Sequence, residues 1–448
     1  MFTDEKFPRI LIYGQSFNRR TGGGITLSNL FKGWPIDKIA VIGTRFSLKN
    51  STADICKVYF QFGKAERKWL FPLSIMQRPH PSGLKEIVER PDGKLVAASI
   101  DEDWGIIGAA HHTLLQRLGL SHLLLQTHLS SNLISWIESY QPELLYFQVS
   151  TREAILFATE LIDHLNIPAA IHMMDDWPST ISISGFLKDF WRQRIDREFR
   201  FLLEKSSTFL SISEAMSAEY LERYNKKFIP FHNPIESPER SQNAIERREE
   251  ENKFRFLYMG RIGNANSHSI LSFALSLSTT LIEGKEVFFH LYTPDFESDT
   301  SRALTEMRNI KVFRPVKHES VYNLLREYDV LLLPLDFTES GIKFAKFSIP
   351  TKASEYMISG TPVLVFAPGE TAVSRFFMAN ECGYCLTEND DLAIKNAIKT
   401  LVQDREFRVR TGTNAIKVAS ALFDGKLVRQ KFQHLLKMTA RTSMHKVN

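Results

Sequence analysis

The chain has 448 residues, of which 43% are hydrophobic and 24% are charged. This length exceeds one ordinary hydrophobic core and predicts two large domains, because a domain usually comprises about 100 to 200 residues. The composition is that of a folded globular protein and excludes a disordered or fibrous chain. A formal net charge of +5 favours anionic ligands or an anionic membrane surface, and no nucleic-acid-binding module is recognisable.

Cysteine content and hydropathy indicate where the protein resides. Only Cys56, Cys382 and Cys385 occur, so a reducing compartment is favoured over a disulfide framework. Cys382 and Cys385 have the spacing of a zinc or redox pair, but zinc requires a second pair, so we predict no metal site. The N-terminus lacks the apolar core of a signal peptide. The sequence also contains no run of about 18 apolar residues, which is the length that a bilayer span requires. A cytoplasmic protein is therefore expected.

The first half of the chain alternates short apolar runs with helical patterns. Helices are predicted at residues 25–31 and 152–165. The predicted strands are residues 10–13, 39–42, 144–149, 169–173 and 209–212. Because these strands are apolar throughout, we expect helices to cover both faces of a parallel sheet. We assign residues 1–236 to this domain.

A second alternating series follows a polar segment. Residues 237–253 are rich in charge and add nothing to a core, so we interpret them as an interdomain linker. The next predicted strands are residues 254–259, 286–292, 310–313, 330–334 and 363–366, with helical patterns between them. This series predicts a second doubly wound domain over residues 254–425. A last helix, residues 426–448, is long enough to cross back to the first domain.

The predicted fold class is α/β, with two doubly wound, Rossmann-like domains that face a central cleft. Ligands of open parallel sheets bind beyond the carboxyl ends of the strands. The loops at those ends are therefore the predicted site.

The most informative segment, residues 350–365, sets a charged helix before a glycine turn and a buried strand. Lys352 and Glu355 lie three residues apart, so both side chains leave one face of a helix over residues 351–359. Gly360 ends that helix. Lys352 suits a phosphate, and Glu355 suits the vicinal hydroxyls of a ribose. The alternative is a surface helix with an ion pair.

Two further loops are predicted to bind phosphate. The glycines at residues 22–24 lie between a strand and a helix, so the N–H groups of Gly23 and Gly24 can approach a phosphate. They lack the spacing of a dinucleotide fold, and a tight turn is the alternative. Arg261 follows the strand at residues 254–259, and its guanidinium fork suits a diphosphate. A surface arginine is the alternative.

Polar residues also cluster after the strand at residues 169–173. Asp175 and Asp176 are suited to bind a metal or orient sugar hydroxyls, although adjacent aspartates also cap helices. His172 lies on the strand itself and is either a cleft residue or a core histidine.

Two basic stretches, residues 57–78 and 187–203, interleave apolar side chains with cations. In the second, one helical stripe consists of Leu187, Trp191, Ile195 and Phe199, and it lies beside Arg192, Arg194, Arg197 and Arg200. Either stretch is suited to an anionic membrane surface, so peripheral membrane contact is one prediction. The alternative is a stripe packed on its own domain.

With these residues in place, the chain resembles the GT-B glycosyltransferases, and among them the retaining family 4, or glycosyl transferases group 1. The resemblance rests on residues 256–261, 328–334 and 350–364, supported by the glycine loop and residues 211–216. It implies that Arg261 and Lys352 hold a donor diphosphate, with Thr351 among the donor-binding residues. It further implies the same ribose role for Glu355, a phosphate contact for Gly23 or Gly24, and a sugar contact for His172 or the Asp175/Asp176 pair.

The resemblance also implies an activity. A sugar would move from a UDP- or GDP-sugar to a glycan or lipid-linked acceptor, with retention and without a metal or other cofactor. Surface polysaccharide or glycoconjugate synthesis, in the cytoplasm or at the inner face of the membrane, is the implied setting.

Some positions depart from the family pattern. Phe347 stands where the first of two glutamates is expected, and residues 262–267 lack the usual lysine. Thr293 and Pro294 replace an expected glycine. Lys343, Lys346 or Lys352 are candidates to supply the missing cation. Two other functions stay open: a catalytically silent GT-B partner that binds nucleotide or glycan, and a nucleotide-sugar epimerase.

Overall fold

The computed structural model describes residues 6–48, 50–69, 80–85, 121–123, 125–181, 185–236, 252–263 and 265–442. The chain divides into two compact units, one of Met1–Phe231 with Arg429–Asn448 and the other of His232–Val428. The predicted linker, residues 237–253, lies outside the described residues except for its last two.

The first unit is built on a parallel sheet. Its strands are β1 (Ile10–Tyr13), β2 (Ile39–Gly43), β3 (Val58–Gln61), β4 (Arg67–Trp69), β5 (Gly83–Leu84), β6 (Leu125–Thr127), β7 (Leu144–Phe147), β8 (Ala169–Met173), β9 (Thr208–Ser211) and β10 (Ile229–Pro230). Its helices are α1 (Gly22–Phe31), α2 (Ser131–Tyr140), α3 (Arg152–Leu165), α4 (Trp177–Thr180), α5 (Lys188–Lys205) and α6 (Glu214–Tyr224). The eight-stranded sheet has the order β10-β9-β8-β7-β1-β2-β3-β5, in which only β5 is antiparallel to its neighbour.

The second unit has a six-stranded sheet of parallel strands. These are β11 (Lys253–Met259), β12 (Glu286–Tyr292), β13 (Ile310–Phe313), β14 (Val330–Pro334), β15 (Val363–Phe366) and β16 (Tyr384–Leu386). The helices after β11 are α7 (Ser267–Ser278), α8 (Asp299–Thr305), α9 (His318–Arg326), α10 (Glu339–Ala345), α11 (Lys352–Ser359), α12 (Ala372–Ala379), α13 (Asp391–Gln403), α14 (Arg405–Leu422) and α15 (Gly425–Arg441). The sheet order is β13-β12-β11-β14-β15-β16.

This strand order reverses between β11 and β14, which is the pattern of a Rossmann fold. The chain winds outward from β11 through β12 to β13, and then returns to β14 and winds the other way. The loops after β11 and β14 therefore diverge, and a ligand crevice forms at the carboxyl edge between them. The first sheet reverses in the same way between β1 and β7. The prediction of two doubly wound parallel sheets is confirmed.

Apolar periodicity explains how a helix covers the second sheet. Ile270, Phe273 and Leu277 of α7 are buried and recur at helical spacing. The Phe273 ring lies 5.3 Å from that of Phe256 on β11 and 5.2 Å from that of Phe289 on β12. This edge-to-face packing joins the first helix to two central strands.

The predicted helix and strand of residues 350–365 are also confirmed. Thr351 is the N-cap residue of α11, and Gly360 ends the helix with a left-handed φ of 73°. α14 packs so closely here that a Cβ at Gly412 would lie 2.3 Å from the Gly360 carbonyl oxygen. The glycine in α14 thus permits the turn that positions β15.

The C-terminal helix α15 extends into the first unit. Its Phe432 ring lies 5.1 Å from that of Phe31, and the Thr439 hydroxyl is 2.7 Å from that of Thr208. None of the helices in the described ranges combines the length and apolar composition that a membrane span requires.

We expect Gly412→Ala to lower stability by about 1 to 3 kcal/mol, although alanine is the better helix former. The added methyl group meets a backbone oxygen, which cannot turn aside as a flexible side chain does. Gly369→Ala is the control, since its Cβ would meet Thr387 at an ordinary 3.5 Å. Thermal unfolding of both variants provides the measurement, and an unchanged midpoint for Gly412→Ala would contradict the packing argument.

Candidate functional site

The loop after β11 turns at Gly260, whose φ of +139° favours glycine. A Cβ at this position would lie 2.5 Å from Nζ of Lys352. The loop and α11 are therefore in direct contact, and a larger residue here would strain the backbone and displace the Lys352 ammonium group.

The hydroxyl of Tyr258 links this loop to α7 and α11. It donates a hydrogen bond to the carbonyl of Arg261 and accepts bonds from Asn266 Nδ2 at 2.8 Å and Lys352 Nζ at 3.1 Å. Burial raises the pKa of Tyr258 well above its usual value, so the hydroxyl stays protonated. The Lys352 ammonium also lies 4.3 Å from the centre of the Tyr258 ring, a cation–π contact. Lys352 is thus held at the carboxyl end of β11.

A second tyrosine fixes α11 on the same strand. The Tyr356 hydroxyl accepts a hydrogen bond from the Met259 N–H at 2.9 Å. Burial raises the pKa of Tyr356 as well, and the ring is 1% exposed. The orientation of α11 on β11 is therefore fixed by both tyrosines.

Lys352 and Glu355 are both partly buried. They do not form the ion pair of the alternative interpretation, because the Lys352 ammonium nitrogen does not lie within 4.0 Å of a Glu355 carboxylate oxygen. Burial lowers the pKa of Lys352 to about 8, and the Glu355 charge opposes this effect. Burial raises the pKa of Glu355, against the opposing charges of His318 and Lys352. Glu355 makes no hydrogen bond with any described residue, so its oxygens are open to a ligand.

Arg261 lies in the same loop, and its guanidinium group has one ion-pair partner and is largely exposed. Its side chain is 61% exposed, and Nη2 lies 3.2 Å from Oδ1 of Asp295. The other Asp295 oxygen accepts the Ile262 N–H at 3.0 Å. Asp295 therefore orients the loop and the arginine together.

Asp336, which follows β14, caps α7 from outside the helix. It is fully buried, accepts the Ser269 N–H at 2.8 Å and the His268 N–H at 3.4 Å, and lies 3.2 Å from His268 Nδ1. The carbonyls of Gly263 and Asn266 accept the other two N–H groups of the first turn. The α7 N-terminus therefore has no free amide for a phosphate, and side-chain cations must bind an anion here. Tyr258, Asp295 and Asp336 were not predicted from the sequence, since each acts through a contact distant in sequence.

The two glycines predicted to contact phosphate in the first unit, Gly23 and Gly24, have different surroundings. Thr21 caps α1, and its Oγ1 accepts the Gly24 N–H at 3.1 Å. A Cβ on Gly24 would lie 2.1 Å from Nδ2 of Asn18, so packing explains this glycine. The Gly23 N–H has no partner among the residues described, and a phosphate contact there stays a prediction.

The two adjacent aspartates have different surroundings. Asp176 is 2% exposed and accepts hydrogen bonds from Tyr220 at 2.8 Å, from Arg223 at 2.9 Å and from Ser179. It fastens the start of α4 to α6. Asp175 has no hydrogen bond or ion pair with a described residue, and burial raises its pKa. Of the pair, Asp175 is the carboxylate available to a ligand.

His172 lies inside the first unit. It is 1% exposed, and Nδ1 is 2.5 Å from the Tyr146 hydroxyl. Burial lowers its pKa to about 3, against a smaller effect of the Ser211 backbone, so the ring is neutral. This geometry fits the core-histidine interpretation, and a role against the transferred sugar stays a prediction.

Two other positions complete the predicted set. The Thr351 side chain makes no capping bond, while its carbonyl accepts Ser354 Oγ at 3.1 Å and Asn233 Nδ2 at 3.4 Å. Phe347, at the expected glutamate position, is 7% exposed. The structure therefore presents a buried ring where the family pattern has a carboxylate.

Comparison with known structures identifies the architecture. Anabaena HepE, in complex with UDP and glucose, superposes with a TM-score of 0.59 at 14% identity, over 96% of this chain and 100% of HepE. The chain has the GT-B fold. Sucrose-phosphate synthase from Thermosynechococcus elongatus gives the same TM-score at 13% identity, over 96% of this chain and 98% of the synthase.

Sequence comparison adds a family for the second unit of this GT-B protein. Residues 239–418 match the family described as glycosyl transferases group 1. A comparison with curated proteins found no match. An Escherichia coli structure described as trehalose-6-phosphate bound with UDP-2-fluoro glucose superposes with a TM-score of 0.55 at 9% identity, over 96% of this chain and 99% of that one. Identities this low establish the fold alone, while the family match supports a glycosyltransferase.

We expect Asp176→Ala and Asp175→Ala to affect stability in opposite directions. Removing Asp176 leaves Arg223 with Glu219 as its remaining ion-pair partner and takes the acceptor from the buried Tyr220 hydroxyl, which costs about 1 to 3 kcal/mol. The raised pKa of Asp175 means that its charged form costs stability above the unfolded pKa, about 3.9. Asp175→Ala should therefore raise the unfolding midpoint at neutral pH, and this gain should vanish as the pH falls below the unfolded pKa. Equal destabilisation by both substitutions would contradict the assignment.

Proposed function

We propose that this protein is a glycosyltransferase that moves a hexosyl group from a nucleotide-diphosphate sugar to a glycan or lipid-linked acceptor. The observation that carries the proposal is the set of Arg261, Lys352 and the unpaired Glu355 beside the point where the second sheet reverses. The group 1 match over residues 239–418 supports the same reaction class.

The diphosphate is the ligand that fits the cations. Arg261 offers a fork of donors, and Lys352 offers an ammonium group in a partly buried position. Each charge-assisted hydrogen bond contributes about 1.5 to 3 kcal/mol. Asp336 and two loop carbonyls already accept the N–H groups in the first turn of α7. Arg261 and Lys352, and not the helix N-terminus, therefore neutralise the diphosphate charge. They also stabilise the charge that develops on the leaving nucleoside diphosphate.

Glu355 is proposed to bind the ribose. Its carboxylate accepts hydrogen bonds only, and two vicinal hydroxyls provide the matching donors. Its pKa is raised by burial, so these donors would stabilise a charge that the free protein holds at a cost.

A UDP-sugar is proposed as the donor, with GDP-sugars as the alternative. HepE was solved with UDP-glucose, and the Escherichia coli structure holds UDP-2-fluoro glucose. The acceptor hydroxyl is proposed to attack the face that the diphosphate leaves, with retention. Asp175 is the open carboxylate proposed to orient sugar hydroxyls. Metal-independent transfer during surface polysaccharide or glycoconjugate synthesis, in the cytoplasm or at the inner membrane face, completes the proposal.

A catalytically silent nucleotide-binding protein is the second candidate, and Phe347 favours it. A buried phenyl ring cannot replace a carboxylate that contacts the donor sugar. Release of UDP from UDP-sugars in the presence of a panel of acceptors separates the two functions. Tight UDP binding without release or transfer would support the silent protein.

We expect Arg261→Ala and Glu355→Ala each to weaken UDP binding by about 10- to 100-fold, because each removes a charged hydrogen-bonding group. Isothermal titration calorimetry measures the affinity. Arg302→Ala is a matched control, since Arg302 is 70% exposed and contacts Asp299 at the same 3.2 Å as Arg261 contacts Asp295. Unchanged affinity in both site variants would remove the site assignment.

UDP affinity should also fall as the pH rises through about 8, where Lys352 loses its proton. The ammonium form predominates below that pH, and an anion binds this form preferentially. Lys352→Met should weaken binding about tenfold or more at neutral pH and remove the pH dependence. Lys395→Met, on α13, removes an ammonium group that contacts Asp391 at 2.7 Å, and it should keep the wild-type profile. A profile retained by Lys352→Met would show that another group titrates.

A further inference from the structure

The outer face of α5 exposes aromatic rings. Phe186, in the turn before the helix, is 90% exposed, and Phe190 and Phe201 are 48% and 51% exposed. Single exposed apolar residues are ordinary, but a cluster bordered by polar groups marks an interaction surface.

The spacing places these rings in one row with two arginines. Phe190, Arg194, Arg197 and Phe201 follow each other by four, three and four positions, which aligns them along one side of the helix. We call Phe186 and these four residues the Phe–Arg face. α5 is about 27 Å long, and its two exposed phenylalanines, Phe190 and Phe201, lie about 16 Å apart along the axis. Both rings therefore reach a flat surface when the helix lies parallel to it.

The opposite side of α5 is the stripe that the sequence offered for a membrane. Trp191, Ile195 and Phe199 of that stripe are 2%, 1% and 0% exposed. They pack inside the first unit, as the alternative interpretation held. The other basic stretch extends into residues 70–79, which lie outside the described residues.

The arginines of the Phe–Arg face are open to an anion. Arg197 has no hydrogen bond or ion pair with any residue in the described ranges. Arg194 is 46% exposed while it contacts Glu198 at 3.1 Å. Glu198 is itself engaged by Arg152 at 2.6 Å, so its charge is already shared with a second cation. The positive charge of the face is therefore only partly compensated.

We propose that the Phe–Arg face docks on the surface of an anionic lipid bilayer. The phenyl rings enter the boundary between headgroups and acyl chains, and the two guanidinium groups bind lipid phosphates. Interleaved cations and rings suit this partner, since a purely apolar protein contact would leave both arginines desolvated and unpaired. Docking requires no sugar donor and is independent of the proposed transferase activity.

Vesicle co-sedimentation of the full chain tests the proposal. We expect binding to vesicles that contain phosphatidylglycerol and weak binding to phosphatidylcholine alone. Phe186→Ser/Phe190→Ser/Phe201→Ser should lower the partition coefficient about tenfold or more. Arg194→Gln/Arg197→Gln should lower it about fivefold per arginine on anionic vesicles only.

Matched controls separate docking from general effects. Phe46→Ser removes a ring that is 56% exposed elsewhere in the first unit, and Arg314→Gln removes an arginine that is 73% exposed. Both should bind as wild type does. Unfolding midpoints and UDP affinity should stay unchanged in every variant. Failure of the wild type to bind anionic vesicles, or equal binding of the triple variant, would overturn the proposal. The proposal would also be overturned if the wild type were a dimer and the triple variant a monomer, because the face would then join two copies of the chain.

Discussion

The candidate donor site depends on one constraint, the reversal of strand order between β11 and β14. Parallel strands place all their carboxyl ends at one edge, and a right-handed crossover sends successive helices to a fixed side of the sheet. Where the winding direction changes, neighbouring loops separate and backbone cannot fill the space. Arg261 and Asp336 follow the two strands at this point, so the topology determines where a ligand can bind.

Tyr258 converts that crevice into a defined site. A fully buried hydroxyl must satisfy its hydrogen-bonding capacity, and here it does so with a carbonyl, an amide and an ammonium group from three parts of the unit. Lys352 is thereby partly shielded from bulk water before any ligand arrives. A desolvated cation interacts more strongly with an anion than an exposed one does. The cost is a lowered pKa, which links ligand affinity to pH.

The first unit illustrates how adjacent residues of one type diverge in role. Asp175 and Asp176 are equivalent in sequence, and only the position of α6 decides which one receives Arg223 and Tyr220. The same holds for α5, where two apolar stripes exist in the sequence and the fold buries one of them. Long-range contacts determine which aspartate is paired and which side of α5 is buried, and a single sequence contains no local signal for either outcome.

The sequence alone determined the two parallel α/β domains, the strands at residues 10–13, 169–173, 286–292, 310–313, 330–334 and 363–366, and the position of Lys352 and Glu355 on one helix. Apolar runs, turn residues and helical spacing are local properties, so they can be interpreted residue by residue. Only the tertiary structure decided that Tyr258 holds Lys352, that Asp336 occupies the α7 N-terminus and that the His172 ring is buried beside Tyr146. Those outcomes depend on which chain segments meet in space, because burial and hydrogen bonding are set by partners up to a hundred residues away.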